Sequence, residues 1–361
     1  MNKAYKFRIY PTEEQKVMFA KTFGCVRFIY NKMLEDKIEY YEKTKKKLKN
    51  TPAQYKKEFE WLKEVDSLAL ANTQLNLQTA YENFFRSPQM GFPKFKSKHR
   101  SRESYTTNNQ KDSIRIEDRG IKLPKVGYVK IKQHRDIPIG YKLKSATISK
   151  TPTGKYFVSI LFEYVEDVLL PELKNIVGLD FSMKELFVSS NGETAEYPHF
   201  YHLAQIKLAK EQRKLSKCQR GGLNYRKQRV RVAKVHEKVA NQRRDFLHKI
   251  SRKITNSYDV VCVENLDMKE MAQTFNFGKK VFDNGWGMFT TFLDYKLSNE
   301  GKKLVKIDKW FPSSKICSHC GGIKDEMPLS ERMYVCECGF TCDRDINAAI
   351  NIKNEGKLQL A

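Results

Sequence analysis

No stretch of the 361 residues is apolar for long enough to cross a bilayer. The opening MNKAYKFRIYPTEEQ alternates like a strand and has no apolar block of the kind a secretory leader needs, so a cytoplasmic location is expected, with no membrane partner. There is no GxxxxGK[ST] phosphate loop, which excludes a Walker-type nucleotidase. The seven histidines show no paired spacing, so Ser-His-Asp or Cys-His nucleophilic chemistry has no support. Acids are scarce beside bases: 42 Asp and Glu face 67 Lys and Arg, giving a formal net charge of +25 and a pI near 9.6. An excess of that size repels itself in the folded state unless a polyanion neutralises it. Nucleic acid does this well, because each phosphate contact releases counterions. The basic segments lack the broad Trp- and Phe-rich face of a membrane-surface helix.

What is present suits a globular protein: 40% hydrophobic and 12% aromatic residues, in a chain long enough for more than one core. Eight cysteines in a cytosolic setting argue against a disulfide framework. Five of them fall between Cys317 and Cys342, while Cys25, Cys218 and Cys262 stand alone as packing residues. Cys317-Ser-His-Cys320, then Cys336-Glu-Cys338-Gly339, gives two close pairs of soft ligands suited to a tetrahedral, structural Zn²⁺. The second pair has one intervening residue rather than two, which leaves Cys342 as an alternative fourth ligand.

Along the chain, Ala4–Tyr10 reads as a strand, and Thr12 with Gln15 forms a capping box for a helix whose buried stripe is Met18, Cys25, Ile29 and Met33. Thr51-Pro52 starts another helical stretch. From Ser67, Leu68, Leu75 and Phe84 alternate with Asn72, Gln74, Asn76 and Gln78, read here as one polar helix face. Between Ser104 and Val165, short alternating runs separated by Gly and Pro turns predict a small antiparallel barrel that the N-terminal strand joins, followed by a linker, VEDVLLPELKN. IVGLDF, YDVVCVENL and KKLVKIDKW read as buried strands. Tyr201–Lys253 reads as two helices broken at Gly221-Gly222, with 17 Lys and Arg against 3 acids. Strands, basic helices and strands in this order imply a mixed α/β sheet. Tyr105, Phe92, Phe95, Trp286 and Trp310 lie near basic or Gly-rich turns, where they either stack on bases or simply pack.

Three acids stand where buried strands or loops end: Asp180 in IVGLDF, Glu264 after VVCV, and Asp345 just before the last helix, with Asp343 as its rival. Hard divalent cations take carboxylate oxygens. Three such groups sharing two metals can activate water and stabilise the leaving oxygen of a phosphodiester.

GLDFSMKELFVSSNGE, VVCVENLDMKEM, GWGMFTTFLDYK, FPSSKICSHCG, YVCECGF and DRDINAAINI, in this order, resemble the TnpB family of RNA-guided nucleases carried by bacterial insertion sequences. KFRIYPTEEQ, GFPKFKSKHRSRESYTTNN and VHEKVANQRRDFLHKIS match it too, so the resemblance spans nearly the whole chain. The first motif departs from the family's Gly-rich form at Phe181-Ser182-Met183, without touching a carboxylate. The resemblance implies a multidomain α/β protein. A wedge-like β-barrel would take 1–11 and 104–172, and a helical recognition domain 12–103. An RNase H-like (RuvC) nuclease domain would take 173–361, with a zinc ribbon inserted at 312–342. It implies catalysis at Asp180, Glu264 and Asp345 with Mg²⁺ or Mn²⁺, and zinc on Cys317, Cys320, Cys336 and Cys338. The implied partners are a guide RNA from the transposon end and double-stranded target DNA, cut beside a short flanking motif. Nucleic-acid contacts are expected at Asn72, Gln74, Asn76, Gln78, Tyr105, Arg226, Arg229, Arg243 and Arg244; amides can read adenine edges in the major groove. Whether the chain acts as monomer or dimer is left open. The alternatives are an RNA-guided DNA-binding regulator that does not cut, or a transposase-type DNA-binding protein.

Overall fold

The computed structural model describes residues 1–117, 119–165, 171–274, 278, 283–328 and 330–360. Residues 166–170, five of the eleven in the expected linker, lie outside that set. The chain divides into two compact units, Met1–Glu166 and Asp167–Ala361.

The first unit is built on a seven-stranded antiparallel sheet. Its strands are β1 (Asn2–Tyr10), β2 (Glu103–Asn108), β3 (Arg115–Glu117), β4 (Gly120–Leu123), β5 (Gly127–Lys132), β6 (Lys142–Lys150) and β7 (Tyr156–Glu163). Their order in space is β2-β6-β7-β1-β5-β4-β3, so the N-terminal strand joins the sheet at its centre, between β7 and β5. Alternation decides the faces: Tyr5, Phe7 and Ile9 of β1 point into the core with Val158, Ile160 and Phe162 of β7. Three helices are inserted after β1: α1 (Glu13–Thr44), the single turn α2 (Pro52–Tyr55) and α3 (Ser67–Arg86). The Thr12 hydroxyl accepts from the Gln15 N–H at 3.3 Å while the Gln15 side chain accepts from the Thr12 N–H at 3.0 Å, the reciprocal box read in the sequence. Gln15 also donates to the Tyr128 carbonyl at 2.7 Å, fastening the helix start to the sheet. The buried stripe of α1 holds Cys25, Ile29 and Met33 as expected, with Phe19 rather than Met18 beginning it.

The second unit holds a four-stranded sheet, β11-β10-β8-β9, made from β8 (Ile176–Phe181), β9 (Phe187–Ser189), β10 (Val260–Glu264) and β11 (Lys303–Ile307). β8, β10 and β11 run parallel, and β9 is antiparallel to β8. Its helices are α4 (Phe200–Ser216), α5 (Leu223–Ser257), α6 (Met268–Thr274), α7 (Trp286–Asn299) and α8 (Arg344–Leu358). The basic hairpin breaks where Gly221 and Gly222 stand, as read. Strand residues alternate between two helical layers. Val177, Leu179, Val261 and Val263 pack with Leu247 and Ile254 of α5 and Phe289 and Leu293 of α7. Val260, Cys262 and Ile307 pack with Ile352 of α8. The result is a three-layer α/β/α unit, a mixed α/β fold. Between β11 and α8 a small hairpin, β12 (Met333–Val335) and β13 (Thr341–Asp343), carries the cysteines' second pair on its turn.

Candidate active site

Two glycines bring helix α8 close against the strands that carry Asp180 and Glu264. A Cβ on Gly178 would fall 2.0 Å from the Ala349 carbonyl oxygen, and one on Gly356 would fall 2.2 Å from Cys262 Sγ. Helix α8 therefore lies close on the strands at these two points, its backbone against Gly178 and the Cys262 side chain against Gly356. Cys262 pairs with Gly178 in the parallel ladder, so both mark the face that α8 covers. Two residues further along each strand the same face is presented again. Those residues are Asp180 and Glu264, on adjacent strands whose axes run about 4.8 Å apart. Asp345 stands one helical turn before Ala349 on α8 itself.

The charges of Glu264 and Asp345 act on Asp180. Burial raises the Asp180 carboxyl well above the usual carboxylate range; the Glu264 and Asp345 charges raise it further, and the Arg344 guanidinium works against this. Burial also raises Glu264, opposed by the Ser313 hydroxyl, which donates to Glu264 Oε1 at 2.5 Å. Asp345 takes bonds from Arg344 Nε at 3.2 Å and Nη2 at 3.1 Å, with Arg332 Nη1 at 3.6 Å. The rival Asp343 is occupied elsewhere. Its carboxylate caps α8, accepting from the N–H groups of Asp345 at 2.9 Å and Ile346 at 3.2 Å. A buried carboxylate raised by two neighbouring acids is the kind of oxygen donor a hard divalent cation takes.

The sulfurs of Cys317, Cys320, Cys336 and Cys338 all lie within 4.8 Å of one another. Cys317 Sγ and Cys338 Sγ are 3.9 Å apart, and Cys320 Sγ and Cys336 Sγ 3.6 Å. Four thiolates around a tetrahedral zinc at about 2.3 Å would stand roughly 3.8 Å apart, so the cluster fits that ion. Burial opposes the Cys317 thiolate, but the N–H groups of Cys320 and His319 and the neighbouring thiols outweigh it and bring the thiol down to about 7. Cys342 is not part of the cluster; it lies on β13 opposite Tyr334.

The nucleic-acid residues fare differently. Tyr105 is buried at 6% exposure, its ring 5.8 Å from Phe23 and 6.3 Å from Phe19, so it is a core residue and offers no platform for a base. Trp286 is likewise buried, edge-on to Phe181. Phe92, Phe95 and Trp310 are exposed, and Lys309 lies over the Trp310 ring at 4.5 Å. Arg243 is drawn into a structural network: its guanidinium bonds Asp283 at 2.6 Å and the Tyr197 hydroxyl at 3.2 Å. Arg226, Arg229 and Arg244 are exposed on α5. The amides of α3 do not form one face, because residues two apart on an α-helix point about 200° apart. Asn72 and Asn76 flank the buried Thr73–Leu77 stripe on one side, Gln74 and Gln78 on the other. Asn72 bonds the Leu68 carbonyl at 2.9 Å, and Gln78 bonds Glu82 at 3.0 Å.

The sequence reading missed a basic, aromatic patch on the face of the large sheet away from its core. Lys6 and Arg8 of β1 lie over the Phe157 ring of β7 at 4.7 and 5.2 Å, and Arg8 is 5.5 Å from the Tyr10 ring. The alternation of KFRIY holds the signal, since Lys6, Arg8 and Tyr10 share the parity opposite to the buried Phe7 and Ile9.

A family model described as "Probable transposase" matches residues 159–274, a "Cas12f1-like, TNB domain" model matches 286–352, and a "Helix-turn-helix domain" model matches 1–46. The last span is a strand followed by one continuous helix, α1. A Streptomyces pristinaespiralis protein named "Putative RNA-guided DNA endonuclease" is 34% identical over 99% of this chain and 90% of its own length. The Escherichia coli K12 protein InsQ, with the same description, is 28% identical over 99% of this chain and 93% of its own. The fold as a whole resembles that of Cas12f1 in a complex with sgRNA and target DNA, with a TM-score of 0.60 at 13% identity, covering 98% of this chain and 99% of that one. The class is thus that of the transposase-like proteins of insertion sequences and their Cas12f1-like kin. Within it, the chain belongs to the TnpB family.

Proposed function

We propose that this protein is an RNA-guided, divalent-metal-dependent DNA endonuclease that cuts beside a short flanking motif. The observation that supports this reading is a buried Asp180, on a strand beneath α8, with the charges of Glu264 and of Asp345 on that helix pressing on it. A purely electrostatic RNA binder gains nothing from that arrangement, because buried like charges destabilise it.

Asp180, Glu264 and Asp345 would hold the ions. Bound Mg²⁺ or Mn²⁺ supplies an activated water and stabilises the departing oxygen of a phosphodiester. The chain's own part is to fix the three carboxylates, neutralise the Asp345 side through Arg344 and Arg332, and hold Asp180 and Glu264 largely away from bulk solvent. Cys317, Cys320, Cys336 and Cys338 would hold a structural zinc; four ligands leave no open position for chemistry.

The division of labour follows the domains expected from sequence. The barrel of 1–11 and 104–172 and the helices of 12–103 grip a transposon-derived guide RNA and read the flanking motif. The Lys6–Arg8–Phe157 patch supports this, since cations interleaved with rings suit phosphates and bases. The nuclease domain, 173–361 with its ribbon at 312–342, brings the displaced strands to one site in turn. The exposed Arg226, Arg229 and Arg244 of α5 add phosphate contacts. Base pairing selects the target while the protein reads backbone shape.

The test is cleavage of a plasmid carrying a matched target next to a randomised flank, by protein purified with its bound RNA. Mg²⁺-dependent cutting at flank-specific sites is expected. Tight target binding without product would establish the non-cutting regulator instead, and undiminished cutting by Asp180→Ala would remove the catalytic assignment.

A further inference from the structure

Each acid of the site is reached by a different part of the chain, but one of them depends on a residue outside the three. Glu264 ends β10, and its side chain has one more rotatable bond than an aspartate. The Ser313 hydroxyl, 49 residues away in sequence, donates to its Oε1 at 2.5 Å. Ser313 is itself 6% exposed, too buried for its hydroxyl to be serving solvent.

The backbone behind that hydroxyl is fixed. The Ser313 N–H donates to the Phe311 carbonyl at 2.8 Å, and its own carbonyl accepts from Asn351 Nδ2 at 2.8 Å. Asn351 reaches on to the Ile316 carbonyl at 2.7 Å, where Asn347 also donates at 2.7 Å. Asn347 Oδ1 in turn accepts from the Ser318 N–H at 3.0 Å. Both asparagines are buried on α8, the helix whose first turn carries Asp345. The 313–318 segment is therefore clamped to the same helix that places another acid.

We propose that Ser313 is a positioning residue of the nuclease site. An ionised carboxylate only accepts hydrogen bonds, so the hydroxyl can only donate to it, and in doing so it fixes the plane of the group. Glu264 then offers its second oxygen to a divalent cation from one orientation, without first losing rotamer freedom on binding. Outer hydrogen bonds of this kind change metal affinity or activity by about 10–100-fold when removed. This inference rests on the metal-dependent nuclease reading and adds a residue to it.

The experiment compares wild type, Ser313→Ala and Ser313→Thr as RNA-loaded protein. Three quantities are measured: the Mg²⁺ dependence of cleavage, Mn²⁺ binding by electron paramagnetic resonance, and the thermal midpoint. Ser313→Ala should need about tenfold more Mg²⁺ for half-maximal cutting, bind Mn²⁺ correspondingly less well, and keep its maximal rate and thermal midpoint. Ser313→Thr, which retains the hydroxyl, should stay near wild type in both metal readouts. An alanine variant equal to wild type in cleavage and in Mn²⁺ binding overturns the proposal, as does a threonine variant as impaired as alanine at an unchanged thermal midpoint. Wild-type protein that cuts nothing would defeat the nuclease reading alone, because the Mn²⁺ titration would still decide the role of Ser313.

Discussion

Gly178 and Ala349 meet backbone against strand: the carbonyl oxygen of one occupies the place where a side chain of the other would begin. That contact seats α8 on the parallel strands and places Asp345 where its charge reaches Asp180. Gly178→Ala should therefore push the helix away. We expect a stability loss of about 1–3 kcal/mol or more, the usual cost of overpacking, together with cleavage reduced beyond what the stability change explains. Denaturant unfolding alongside cleavage rates checks it, and a wild-type unfolding midpoint for this variant would refute the close-contact argument.

Removing one carboxylate should separate cutting from binding. Asp180→Asn keeps the shape and removes the charge. Loss of the metal site should lower cleavage by about a thousandfold or more, while affinity for RNA and target DNA holds. Because burial and two like charges oppose ionisation of Asp180, the neutral amide should also leave folding as stable or raise it. Filter binding, product assays and thermal melts on one preparation test all three parts.

Cobalt should report the cysteine cluster. Four thiolates give Co²⁺ an intense ligand-to-metal absorption and tetrahedral d–d bands, both removed by added Zn²⁺. Cys320→Ser should weaken metal binding and destabilise the ribbon, whose folding depends on an ion worth on the order of 10 kcal/mol to a small loop. Cys342→Ser should leave the spectrum unchanged, since Cys342 lies outside the cluster. A spectrum altered as much by Cys342→Ser as by Cys320→Ser would contradict this.

Lys296 gives a pH dependence far from the acids. Its ammonium is buried, donating to the His248 carbonyl at 2.8 Å and Ser251 Oγ at 2.7 Å. Burial, aided by Arg252 and opposed by Glu300, lowers its pKa from 10.5 to about 8. The folded protein thus releases this proton earlier than the unfolded chain, which holds it up to 10.5. Where the unfolded state binds more protons, stability rises with pH. Lys296 should therefore add an upward slope between pH 8 and 10.5 and none below, and Lys296→Met should remove that slope. Equal slopes for the two proteins in denaturant titrations would exclude the effect.

The expected nucleic-acid residues should divide by burial. Alanine at exposed Arg226, Arg229 and Arg244 together should weaken RNA or DNA binding. The salt slope should fall by about 0.7–0.9 for each phosphate the protein no longer neutralises. Tyr105→Ala should instead cost about 3–5 kcal/mol of stability, as for any large buried aromatic, and Arg243→Ala should destabilise by leaving buried Asp283 without its partner. Binding isotherms at several salt concentrations, read against melting curves, distinguish the two groups.

Local signals were legible in the sequence. The Thr12–Gln15 box, the Gly221–Gly222 break, the parity of Phe7 and Ile9, and acids closing apolar runs each depend on neighbours a few residues away. The misjudged residues depend on distant ones. Tyr105 is buried because β2 pairs with β6 in a register that turns it toward Phe19 and Phe23. Arg243 meets Asp283, 40 residues on. The α3 amides were misjudged for another reason: alternation in the letters suggests a shared face, but a helical period sends alternate residues to opposite sides. Ser313 lies inside the FPSSKICSHCG motif, but nothing in its neighbours pointed to Glu264, 49 residues back, as its partner.

The order of the parts along the chain has a consequence for synthesis. Strand β8 emerges early, yet the helix that completes its acid cluster comes 171 residues after Gly178 at Ala349. A ribosome releasing this protein exposes a basic, RNA-attracting surface well before the third carboxylate exists. On the proposed reading no cutting site exists until the final helix docks, and any product truncated ahead of it carries the charge without the third acid.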